Sequence, residues 1–76
     1  MDASEPMREF EDALTDFMAA AWLGGRGEPN LALRTRLHKA RNEIVRLKLM
    51  HTKAYNDAVI RAESRAWDTR AAETNG

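Results

Sequence analysis

At 76 residues the chain has room for one domain, and at that length a single core is marginal without a disulfide, a metal or a partner subunit. It has no cysteine, which excludes disulfides and thiolate metal sites, and its two histidines, His38 and His51, have no ligand pattern around them. The 12 basic and 12 acidic residues cancel overall, but residues 1–23 carry a net charge of −5 (six acids against Arg8) and residues 34–53 a net +6 (seven bases against Glu43).

The first helix is predicted over 5–23. Ser4 suits its N-cap, with Glu5 and Pro6 in the first turn, where an acid and a proline are tolerated. Met7, Phe10, Leu14, Phe17 and Ala21 alternate at spacings of three and four and make one apolar stripe, widened by Ala13, Met18 and Trp22. Gly24 and Gly25 stop the helix, and GGRGEPN, residues 24–30, reads as a tight reversal.

From Leu31 to Ala72 there is no glycine and no proline, and helix formers dominate. The expectation is a single helix over 31–72 of roughly 40 residues, about 60 Å long, with 73–76 as a frayed polar tail. Leu33, Leu37, Ala40, Ile44, Leu47, His51, Ala54 and Ala58 form a heptad-like seam along it. Laid antiparallel, the first helix covers that seam as far as His51, a core-edge residue within reach of Glu5 or Glu9. Residues 52–72 then project beyond it with nothing in the chain to cover them. The fold class read from the sequence is therefore all-α: a helical hairpin of unequal arms, residues 1–76 as one domain, assembling as a homo-oligomeric, dimeric bundle.

Two surfaces follow. Ala54, Ala58, Ala62 and Ala66, four apart, make a small-residue ridge suited to close helix approach and are the expected oligomer interface. Tyr55, Val59, Ile60 and Trp67 are the expected anchors for a second protein, because large apolar and aromatic residues dominate interface energies. Val45, Leu49, Ile60 and Trp67 share a second stripe, and two stripes imply two neighbours. Asp57 and Arg61, and Arg65 and Asp68, stand at spacings that suit pairing within one helix.

The alternative partner is nucleic acid. Arg34, Arg41 and Lys48 recur every seven residues on one side of the seam, with Arg36, Lys39, Arg46 and Lys53 on the other, and such rows can follow phosphates. They could equally face the acidic first helix. There is no helix-turn-helix pattern, no Ser/His/Asp or Cys/His constellation, and GGRG lacks the ending of a phosphate-binding loop. The sequence expectation is a non-enzyme without cofactor or metal. It is cytoplasmic, with neither a signal peptide nor a membrane span, and belongs to the class of small regulators, inhibitors or adaptors carried by phages and mobile elements. It would act by occluding a groove on its target.

Overall fold

The structure, a computed structural model, describes residues 4–23 and 31–75, apart from the side chains of residues 22, 23, 70 and 72–75. The expected turn at 24–30, the contribution of Trp22 to the apolar stripe and residue 76 lie outside what is described. The described residues form three helices and no strand: α1 Ser4–Leu23, α2 Leu31–Arg46 and α3 Lys53–Asn75.

The long helix expected over 31–72 is therefore two helices, and the longest dimension of the molecule is 40 Å rather than the length of one uninterrupted rod. The break has a local cause. Lys48 takes a left-handed backbone conformation, φ 59°. The Lys48 N–H then donates to the Val45 carbonyl at 3.0 Å and the Leu49 N–H donates to the Ile44 carbonyl at 3.0 Å. These are the paired hydrogen bonds of a Schellman helix end, a position that usually selects glycine because a Cβ there costs about 1–2 kcal/mol. Leu49, on the outer stripe of an unbroken helix, is turned inward and packs against the core that contains Ile44, in keeping with the apolar contact that accompanies this motif.

Thr52 then starts α3. Its Oγ1 accepts from the Tyr55 N–H at 3.1 Å and donates to the Leu49 carbonyl at 2.8 Å, so one hydroxyl caps α3 and ties it to the link. The Asn56 N–H donates to the Thr52 carbonyl at 3.1 Å, which is the first turn of the new helix. His51 lies in this link and is exposed, so the expected core-edge position is not the one it occupies. α3 continues through to Asn75, and residues 73–75, expected as a frayed tail, extend the helix.

α1 lies between the other two helices, and among the described residues no comparable contact joins α2 to α3. α2 runs antiparallel to α1, with Ile44 beside Met7 and Phe10 at one end and Arg36 bonded to Asp16 towards the other. α3 runs parallel to α1, with Ala58 at Met7 and Phe10 and then Arg61 and Arg65 at Glu11 and Asp12. The core joins Met7, Phe10, Ile44 and Ala58, flanked by Leu14, Leu37, Ala40, Leu49, Met50, Tyr55 and Val59. The Phe10 and Tyr55 rings stack with centroids 5.1 Å apart, an arrangement that adds about 0.5–1.5 kcal/mol to simple burial.

A helix with two neighbours must bury most of its circumference. The exposed residues of α1 with described side chains are Ser4, Glu5, Arg8, Glu9 and Asp16. Beyond its apolar stripe α1 also buries Thr15 and Ala19. The Thr15 hydroxyl is satisfied by donating to the Glu11 carbonyl at 2.7 Å. Among the described side chains of α3 the fully buried ones are Ala58, Ala62 and Ala66, whose methyl groups allow the two axes to approach towards the short end of the usual 8–10 Å range. Ala62→Leu is accordingly expected to overpack this contact and destabilise the protein by about 1–3 kcal/mol, whereas Ser64→Ala, on the exposed opposite side of the helix, stays within about 0.5 kcal/mol. Urea denaturation followed by circular dichroism distinguishes the two; equal stability of both variants would be incompatible with α3 lying on α1.

Candidate functional site

The expected partner anchors separate into two pairs. Tyr55 and Val59 are half-buried and belong to the core, Tyr55 through its stack on Phe10. Ile60 and Trp67 stand on the far side of α3 with 60% and 50% of their surface exposed. Seven residues separate them, so they share a helix face about 10 Å apart along its axis. Glu63, Ser64 and Asp68, also exposed, lie around them. Val45 and Leu31 are the corresponding exposed apolar residues on α2.

The alanine ridge does not present itself outward as a unit. Ala58, Ala62 and Ala66 are fully buried within the single chain, and Ala54, in the first turn of α3, is exposed. The contact expected from a second copy is made here by α1, which the sequence reading placed out of reach.

Charges sort by helix. Glu11, with 14% of its side chain exposed, accepts from Arg61 Nε at 2.8 Å and from Arg65 at 2.9 Å. Arg65 also reaches Asp12 at 2.8 Å. These hydrogen bonds to Asp12 and Glu11 raise the Arg65 pKa above its ordinary value. Arg61 and Arg65, whose spacing suggested pairing with Asp57 and Asp68, thus clamp α3 to α1, while Asp57 pairs with Lys53 at 2.9 Å. An open cleft lies over this clamp, lined by Glu5, Arg8, Glu11, Asp12, Arg61 and Arg65 among others. Its lining also includes the Ser4 hydroxyl and the Glu9 carboxylate, and Arg61 and Arg65 are already engaged by carboxylates.

The basic residues of α2 behave differently. Arg36 bonds to Asp16 at 2.6 Å. Arg46 is engaged by Glu43 within its own helix, and that hydrogen bond holds the Glu43 carboxyl below its ordinary pKa. Among the described residues no carboxylate lies within ion-pair distance of Arg34, Lys39, Arg41 or Lys48, all of them exposed. Arg34 and Arg41 flank one side of α2 and Lys39 the other, and Lys48 sits in the helix end, so they do not form one continuous row.

Among the described residues no group of three or more histidine, cysteine or acidic side chains is placed to hold a metal ion, and no helix is long and apolar enough to cross a membrane. No protein family, curated protein or solved structure matches this chain.

The clamp has a measurable weight. Both arginines are half exposed, so screening reduces it towards the range of surface pairs. Glu11→Gln is expected to cost about 1 kcal/mol at low ionic strength and visibly less in 1 M salt. Urea midpoints measured at the two ionic strengths test this; a loss unaffected by salt would mean that Glu11 acts through packing rather than charge.

Proposed function

We propose that this chain is a small non-enzymatic binding protein, a regulator or adaptor that docks on another protein through the outer face of α3 and occludes the groove it fills. One observation supports the reading above others: Ile60 and Trp67 are both largely exposed on the side of α3 away from the core, one heptad apart. A row of this kind suits a helix entering an apolar groove, with the tryptophan as the anchor of highest energy. Asp68 and Glu63 at its margin suit a groove with a basic rim. The site is reduced from the sequence expectation to Ile60 and Trp67, since Tyr55 and Val59 contribute to the core. Self-association as a homodimer and a cytoplasmic setting belong to the same proposal.

Trp67→Ala is expected to lower the thermal unfolding midpoint modestly while leaving the chain folded, and to abolish retention of a specific protein from a lysate of the source cell, with or without nuclease. Retention of the same protein by the variant would end the assignment of this face.

A second reading, nucleic-acid binding, draws on Arg34, Lys39, Arg41 and Lys48, which have no carboxylate partner among the described residues. If they meet phosphates, binding to a short RNA or DNA duplex weakens steeply with salt, and the double change Arg34→Ala, Arg41→Ala reduces the slope of log K against log salt by roughly 2. Absence of any duplex binding at low salt, measured by fluorescence anisotropy, removes this reading.

A further inference from the structure

We infer that this chain forms a domain-swapped homodimer in which residues 47–52 straighten, α2 and α3 join into one helix, and each α3 packs on α1 of the second copy. The inference goes beyond the docking face and does not rest on it, because Ile60 and Trp67 stay on the outer side of α3 in either form.

Several observations lead to it. The link is built from helix formers, Leu47, Lys48, Leu49 and Met50, and neither glycine nor proline occurs between Leu31 and Ala72. The heptad seam passes through the break in register, from Ile44 and Leu47 to Ala54 and Ala58. What stops the helix is a lysine held at φ 59°, a conformation that its Cβ disfavours. Short hinges of this kind are the usual site of exchange between copies.

The contacts also permit it. α3 packs on α1, and among the described residues it has no comparable contact with α2. Opening the hinge therefore gives up one interface, and a second copy restores that same interface, with the Arg61 and Arg65 clamp on Glu11 and Asp12 intact but intermolecular. Directions close the assembly. α1 is antiparallel to α2 and parallel to α3, so each α1 would lie between its own α2 and the other copy's α3, with the two long helices antiparallel about a two-fold axis. Leu49 leaves the core on straightening and joins the outer stripe of Ile60 and Trp67, a loss that the relief of the left-handed lysine opposes.

The absence of cysteine makes the test direct. His38 and Ser64 are both exposed, and the double variant His38→Cys, Ser64→Cys takes two spin labels. On a continuous helix these positions are about 39 Å apart; in the folded-back chain their separation is on the order of the molecule's 23 Å width. Labelled chain diluted into unlabelled chain, measured by pulsed dipolar spectroscopy alongside sedimentation equilibrium, is expected to show a dimer carrying the longer distance. Lys48→Gly, which favours the folded-back end at both hinges, weakens the dimer by roughly tenfold or more, and Thr52→Ala, which removes the α3 cap, strengthens it. A dimer that keeps the short distance overturns the swap while leaving self-association in place. Monomers throughout at millimolar concentration, or a dimer indifferent to Lys48→Gly, overturn it as well.

Discussion

Everything in this fold depends on the chain reversing at Lys48. If α2 continued straight, α3 would run past the end of α1 and its alanine ridge would face water in a single chain. The left-handed lysine costs about 1–2 kcal/mol locally. It is offset by the hydrogen bonds that close α2 and open α3, by the inward turn of Leu49, and by the contact of α3 along α1. That contact combines the alanine methyl groups, each worth about 0.8 kcal/mol on burial, with the stack of Tyr55 on Phe10 and the Arg61 and Arg65 clamp. A small chain without cysteine has few other ways to complete a core, and this one does so by making its acidic helix serve two neighbours.

The sequence made the apolar stripe of α1 and its antiparallel match with α2 legible, because Met7, Phe10, Leu14 and Phe17 repeat at helical spacing opposite Leu37, Ala40 and Ile44. The second buried face of α1 was not legible. It is made of Thr15, Ala19 and the semi-buried Glu11, residue types that leave no hydrophobic signal. The helix break was obscured for a related reason: glycine normally marks a left-handed helix end, and here the position holds lysine. The traces it left were Leu49 and Met50 off the seam, and Thr52, a residue suited to an N-cap, shortly after them. The clamp was missed because spacing favours local partners, whereas Arg61 and Arg65 find theirs about fifty residues earlier in the chain.

This division of charge bears on function. An acidic first helix beside a basic second suggests mutual neutralisation, yet the close ion pairs of Glu11 and Asp12 are with α3, and a single pair, Arg36 with Asp16, links α1 to α2 among the described residues. Attraction between α1 and α2 still acts through space, over a screening length of about 8–10 Å, without fixing the individual arginine heads. Arg34 and Arg41 therefore stay exposed although the chain as a whole is neutral.

The apolar residues outside the core make a sharper argument. Large side chains are scarce in a protein of this size, and Ile44 is the one large side chain that is wholly enclosed among the described residues. Burying an isoleucine or a tryptophan yields roughly 1.5–3 kcal/mol or more. Ile60 and Trp67 leave about half of that unrealised within the single chain, because the face they occupy is opposite the alanine ridge that sits on α1. The contact of α3 with α1 is made by the other face of the helix and does not by itself call for large apolar side chains on this one. The proposed docking would cover them, and it would do so from the outer side of α3.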